Sequence, residues 1–184
     1  GHGSYDDISG EGYIVCRDSK KDDEIKASYI SYSYLRENVN NIRTCNHVLI
    51  ALDVCFGGTF DKQVSKFGRG NDDYNQISQD AFIARTRQYK TRLFITSGSK
   101  EYVPDGAPGK HSPFAYRILD VLRSQGMMEG YATFNLLVQS VERLQTTPRY
   151  GDFGDNEPGS EFIFSTKTGS SAQAFKLVDL QIKP

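Results

Sequence analysis

His47-Val48-Leu49-Ile50-Ala51-Leu52-Asp53-Val54-Cys55-Phe56-Gly57-Gly58 is the stretch on which the fold turns. Its first six residues form a continuous, β-rich apolar run with no polar alternation. Such a run predicts a strand packed on both faces, as in a parallel sheet. The run stops at Asp53, and a carboxylate, a thiol and two glycines follow at once. Open α/β sheets place their sites at this carboxyl end of a strand.

Working outward, Leu93-Phe94-Ile95-Thr96 reads as a second buried strand, ending at Ser97-Gly98-Ser99. Upstream, Tyr13-Ile14-Val15-Cys16 reads as a short strand and Asp18 to Lys26 as a charged loop. Leu35, Val39 and Ile42 share one helical face, with Ser33 as the N-cap. Downstream, Asp61 to Lys90 lacks periodicity and predicts a long loop holding a short helix near Asp80 to Thr86. After the Pro- and Gly-bearing loop Lys100 to Lys110, Ser112-Pro113 marks a helix start, a cap followed by proline in the first turn. That helix is expected to stop at Gly126, and another to run from Thr133 to Leu144. Thr147 to Gly159 reads as loop and Glu161-Phe162-Ile163-Phe164 as a last strand. Strands alternating with helices predict an α/β fold with a mostly parallel sheet flanked by helices, in one domain over residues 1–184.

With 22 basic and 23 acidic residues, the net charge of −1 offers no field for nucleic acid or an anionic membrane. The longest apolar stretch, Val48 to Leu52, is too short to span a bilayer. Three cysteines, Cys16, Cys45 and Cys55, form no disulfide framework, so a reducing, cytoplasmic setting is expected. Cys16, Cys45 and His47 lack the Cys-x-x-Cys or His-x-x-x-His spacing of a metal centre, and no metal or cofactor is assigned.

Cys55 stands just past its apolar run, where Gly57 and Gly58 allow tight bending and close approach of a ligand to the main chain. Alone, that position also suits a strand-end cysteine in a turn. His2, between Gly1 and Gly3, supplies the imidazole that a thiol of pKa ~8.5 needs to work as a nucleophile near neutrality. A terminal Gly-His-Gly-Ser stretch also resembles a tag remnant, but Tyr5-Asp6-Asp7-Ile8 continues at once as domain sequence. His47 begins the strand opposite its chemical end and reads as structural. His111 precedes a helix in the loop beyond Ser97 and is the competing base.

Taken together, Gly1-His2-Gly3, Asp53-Val54-Cys55-Phe56-Gly57, Ile95-Thr96-Ser97-Gly98, Gly109-Lys110-His111-Ser112-Pro113-Phe114 and the closing Pro148-Arg149-Tyr150-Gly151 to Phe164 resemble the caspase, metacaspase and paracaspase superfamily of cysteine peptidases. The spacing from His2 to Cys55 is close to the ~50 residues seen in caspases. The resemblance covers nearly the whole chain and implies a caspase-like three-layer sandwich. It implies Cys55 as nucleophile, His2 as general base, and the Gly3 and Cys55 amides as oxyanion donors. It also implies a substrate path along Ser97 and Gly98. Animal caspases carry Gln-Ala where this chain has Asp53-Val54. As in metacaspases, Asp53 would favour a basic residue before the scissile bond.

The resemblance further implies strands preceding the Gly-His-Gly stretch, furnished by the remainder of the domain or by a separate polypeptide, because their absence leaves a bare sheet edge. Protein or peptide substrates are the expected partners. Lys62, Lys66, Arg69, Arg85 and Arg87 would be candidate self-cleavage points. Some metacaspases respond to Ca²⁺, and the acidic loop Asp18, Asp22, Asp23, Glu24 is the place for it, although it lacks the alternation of an EF-hand. Two other readings stay open: a pseudoenzyme scaffold that binds without cutting, and a thiol hydrolase acting on a small molecule.

Overall fold

A computed structural model describes residues 1–60 and 77–165. The decisive stretch forms a strand over His47–Leu52, which pairs in parallel with a second strand, Thr91–Thr96, in the register Leu49↔Leu93 and Leu52↔Thr96. In chain order the elements are β1 (His2–Asp6), β2 (Glu11–Val15), β3 (Ile30–Ser31), α1 (Tyr32–Asn40), β4 (His47–Leu52), α2 (Gln79–Thr86), β5 (Thr91–Thr96), α3 (Pro113–Met128), β6 (Tyr131–Thr133), α4 (Phe134–Val141), β7 (Arg149–Asp152) and β8 (Ile163–Ser165). The fold is α/β.

The central sheet has the order β4-β5-β7. Alternation along β5 divides its side chains between two hydrophobic layers. Leu93 and Ile95 join Leu49 on one face, packed against Phe114 of α3 and Leu137, Val138 and Val141 of α4. Phe94 joins Ile50 and Leu52 on the other face, packed against Tyr32, Leu35 and Val39 of α1 and against Phe60 and Phe153. Helices therefore cover both faces of the sheet.

Four expectations are corrected. The sheet is not mostly parallel: β7 lies antiparallel to β5, and the pairs β1–β2, β2–β3 and β6–β8 are antiparallel as well. β7 falls in the Pro- and Gly-rich stretch expected to be loop, because pairing with a buried neighbour outweighs its composition. β4 does pack on both faces, but it is an edge strand, half-buried along its length, with Ala51 exposed; β5 is the fully buried one. Finally, Ser31 caps α1 by accepting from the Tyr34 amide at 3.2 Å, whereas Ser33 gives its own amide to Glu11 Oε1. The pairing of Ser31 with Tyr13 makes Ser31 the last extended residue, and so the cap.

The ends of the helices follow the same logic. α3 starts where expected, with Ser112 Oγ accepting from Ala115 N, but runs past Gly126 to Met128. Gly130, at φ 74°, is the left-handed residue that follows its end. α4 starts one residue after the expected Thr133, which serves as its N-cap, and stops at Val141, short of the expected Leu144. α2 occupies the expected Asp80 to Thr86 region, starting one residue earlier.

Candidate active site

Cys55 lies just beyond β4, in the turn that carries the chain from the sheet into a short 3₁₀ turn over Gly57–Thr59. Phe56, immediately after it, adopts φ 61° and ψ 15°, a left-handed conformation that costs a bulky L-residue on the order of 1–2 kcal/mol. The strain is held by packing. The Phe56 ring stacks on Tyr5 of β1 with centroids 5.8 Å apart and planes 14° from parallel. Gly58 N–H donates to Ser99 O at 3.1 Å, and a Cβ on Gly58 would meet Ser99 Cα at 2.5 Å. The close approach expected for a ligand is thus made at Gly58 by the chain's own loop.

The hairpin β1–β2 lies over this turn. Strand alternation turns Gly1, Gly3 and Tyr5 toward it: a Cβ on Gly1 would touch Val54 Cγ1 at 3.3 Å, and one on Gly3 would sit 1.9 Å from the Cys55 carbonyl oxygen. Only glycine fits at position 3. The Gly-His-Gly stretch and the Cys55 turn, far apart in sequence, are in backbone contact. By the same alternation His2 leaves the opposite face of β1, where it is exposed, and its imidazole makes no hydrogen bond to the thiol.

Instead Cys55 Sγ faces Val103. It accepts from the Val103 amide at 3.3 Å and lies 3.9 Å from the Val103 carbonyl oxygen. Cys55 is 7% exposed and Val103 8%. Beneath the turn, the wholly buried Tyr32 donates its hydroxyl to Cys55 O at 3.4 Å. Burial, followed by charge on Cys55, raises the Tyr32 pKa well above the ordinary phenol range, so the hydroxyl stays a donor.

Asp53 is half-buried. Its Oδ2 accepts from Ser112 Oγ at 2.5 Å, and its carbonyl accepts from the Gly1 amino group at 2.8 Å. Ser112 also caps α3, so the Asp53 carboxylate is anchored at a helix N-terminus, where negative charge is favoured.

Ser97 and Gly98 do not lie open to substrate. Ser97 is fully buried, its amide bonded to Leu52 O at 2.9 Å, its hydroxyl to Val54 O at 3.2 Å and its carbonyl to Thr146 Oγ1 at 2.6 Å. With every polar group committed, Ser97 braces the strand end beside Cys55 and corrects the expectation of direct binding. Gly98 is also buried, its carbonyl accepting from Thr96 Oγ1 at 3.0 Å.

His47 stands at the amino end of the sheet, its Nδ1 3.0 Å from Thr91 Oγ1, as its structural reading required. Burial lowers its pKa against the lift from a hydrogen bond to the Arg87 backbone. His111 is exposed, directly before the Ser112 that holds Asp53. Of the basic residues named for self-cleavage, Arg85 is in the last turn of α2 and Arg87 caps its end, not in an extended loop; Lys62, Lys66 and Arg69 lie outside the described residues. The acidic loop ties one of its carboxylates to its own backbone. Asp23 Oδ2 accepts from the Ser28 amide at 2.6 Å, and no group of three or more His, Cys, Asp or Glu side chains among the described residues could hold a metal ion. Those Ser28 hydrogen bonds lower the Asp23 pKa.

Sequence reasoning missed Val103, Tyr32 and the left-handed Phe56. Val103 and Tyr102 are the bulky apolar pair in an otherwise polar loop, a sign that one of them packs back onto the body. No helix among the described residues is long and apolar enough to cross a membrane. No protein-family model, curated protein or solved structure matches the chain.

Proposed function

We propose that the chain is a caspase-like cysteine endopeptidase with Cys55 as nucleophile and His2 as its acid–base partner. The observation that supports this most is the backbone contact between Gly3 and Cys55, which joins the two halves of the motif at the carboxyl end of a parallel strand. The left-handed Phe56 beside the thiol adds to it, since strained backbone gathers at functional turns.

In this reading the Cys55 thiolate attacks the scissile carbonyl to give a thioester. The amides of Gly3 and Cys55 hold the oxyanion, each such donor contributing ~2.7–4 kcal/mol. His2 protonates the leaving amine and then activates the water that releases the acid. For this the imidazole must come round from the outer face of β1. Asp53, fixed by Ser112, directs a cationic side chain into the cleft. A three-layer sandwich completed by further strands on the outer edge of β4, which pairs with no strand among the described residues, belongs to the same reading.

A second reading, a scaffold that binds without cutting, is favoured by one observation: the thiol is engaged by Val103 and not by an imidazole. A fluorogenic peptide ending in Arg or Lys separates the two. The peptidase reading expects turnover that Cys55→Ala abolishes and His2→Ala lowers by ~10²-fold or more, the scale of a lost general base. Turnover that persists in Cys55→Ala, or none in the intact chain once Cys55 reacts freely with alkylating agents, would refute it.

A further inference from the structure

The segment between β5 and α3 crosses directly above the thiol. Its main chain at Val103 presents an N–H to Cys55 Sγ at 3.3 Å and a carbonyl at 3.9 Å, the space through which an acyl carbon would have to reach within ~3–3.5 Å of sulfur. Pro104 follows and biases Val103 toward extended backbone, so the peptide lies across the thiol as an extended chain.

Separate contacts hold this segment down. Glu101 accepts the Ser99 amide on Oε2 at 3.1 Å and the Thr147 amide on Oε1, tying the crossing to the approach to β7. Burial raises the Glu101 pKa, but these amide hydrogen bonds outweigh it and the net direction is down, which keeps the carboxylate charged and the tie closed. Lys100 Nζ sits 5.3 Å from the centre of the Tyr5 ring, and that ring stacks on Phe56, next to Cys55. The outer side is open: Tyr102 is 71% exposed. A stretch fixed on its N-terminal side, solvated outside at Tyr102 and closed over a thiol inside at Val103, differs from ordinary core packing.

We propose that residues 99–103 form an autoinhibitory strap, held by Glu101 and Lys100, which must lift from Cys55 before any substrate meets the thiol. The proposal rests on the reading of Cys55 as nucleophile for its purpose, though not for its test. The Lys100 and Glu101 contacts lie toward the surface, while Ser99 O accepts from the buried Gly58 amide and Val103 is buried. Losing the surface contacts is the local opening, short of global unfolding, that lets the strap lift.

The test is alkylation of the full chain by iodoacetamide, followed by peptide mass spectrometry at each cysteine. Cys45 is exposed and Cys16 half-buried, and both serve as internal standards. Cys55 is expected to react at least about tenfold more slowly than Cys45, and the Lys100→Ala, Glu101→Ala double variant to speed Cys55 by about tenfold with Cys45 and Cys16 unchanged. Equal rates at Cys55 and Cys45 in the unaltered chain, or a Cys55 that stays slow in the double variant, overturns the strap. If the double variant loses its fold, seen as Cys16 and Cys45 accelerating together, amide exchange in the unaltered chain decides. A Val103 amide protected beyond that of Tyr102 supports the strap, and one exchanging as an open loop overturns it. A freely alkylated double variant without peptide turnover would sink the peptidase reading and leave the strap standing.

Discussion

The two ends of strand β5 solve opposite problems. At the amino end Arg92 is wholly buried, and both terminal nitrogens of its guanidinium are held by backbone: Nη1 donates to Asn46 O and Thr91 O at 3.1 and 2.9 Å, and Nη2 to Ile42 O and Cys45 O, both at 3.0 Å. Its Nε lies 3.4 Å from Asp155 Oδ1, and Lys90 Nζ holds the other oxygen of that carboxylate at 2.7 Å. At the carboxyl end, a few residues on, the chain passes through Ser97 and Gly98 beside a strained Phe56 and a thiol whose described partner is a loop peptide. One end gathers backbone carbonyls and a carboxylate around a buried cation, leaving only Arg92 Nε and Asp155 Oδ1, among the described residues, to face each other without a hydrogen bond. The other holds a left-handed Phe56 and sets its thiol against the Val103 peptide, which the strap proposal reads as a cover. That contrast sets a hydrogen-bonded cluster against a strained turn without reference to sequence motifs.

The contrast breaks most easily at Arg92. Arg92→Met keeps much of the apolar stem but leaves the gathered carbonyls without their donor, and is expected to lower stability by about 3 kcal/mol in urea unfolding. Iodoacetamide reactivity at Cys55 below the unfolding transition should not change. If Arg92→Met instead released Cys55 to alkylation while the protein stayed folded, the two ends would be coupled and their division of labour would fail.

Much of the amino end was invisible in sequence. Arg92 sits inside a strand whose neighbours Leu93, Phe94 and Ile95 announce burial, yet nothing local says that carbonyls from Ile42 to Asn46 will converge on it; that depends on how α1 enters β4. The carboxyl end was more legible. The apolar run into Asp53, the glycines after Cys55, and the Ser112-Pro113 cap are local signals, and each stands where expected. What did not show was orientation. A Gly-x-Gly pattern does not reveal that the glycines face the Val54–Cys55 turn and that the histidine between them faces away, because that follows from pairing β1 with β2 in the register His2↔Val15. Ser97 shows the same limit: its position at the strand end was plain, but its complete burial comes from Thr146 and Val54 closing around it.

A finer test concerns the strain at Phe56. Phe56→Ala and Phe56→Gly both remove the stack on Tyr5, so the difference between them isolates the cost of the left-handed backbone. Glycine adopts that conformation freely and alanine does not, so the glycine variant is expected to be more stable by about 1 kcal/mol in chemical denaturation. Alanine proving equal or better would mean that the turn relaxes once the ring is gone. The strain would then be a consequence of the stack and not of the path that carries the chain past Cys55.

The smallest effect sharpens the picture of the amino end, where not every carboxylate is well placed. Thr91 Oγ1 donates to the Glu161 carbonyl at 3.5 Å, and the Glu161 side chain lies inside, with Oε1 accepting the amides of Phe134 and Phe162 at 3.1 Å each. Burial raises the Glu161 pKa, and the backbone donors only partly offset it. Asp155 goes the other way, lowered first by its hydrogen bond from Lys90. The signs follow from linkage. Asp155 adds stability above the unfolded carboxyl pKa and loses it as pH falls through its lower folded value. Glu161 binds its proton more tightly in the folded chain, so its contribution is full below the unfolded pKa and fades as pH rises through its higher folded value. Glu161→Gln keeps an oxygen for the two amides and removes the charge. It should therefore match the unaltered chain at pH 4, where both are largely neutral, and exceed it in urea unfolding at pH 7. A Gln variant less stable than the parent at pH 7 would show that the ionised carboxylate is well satisfied there by its backbone donors.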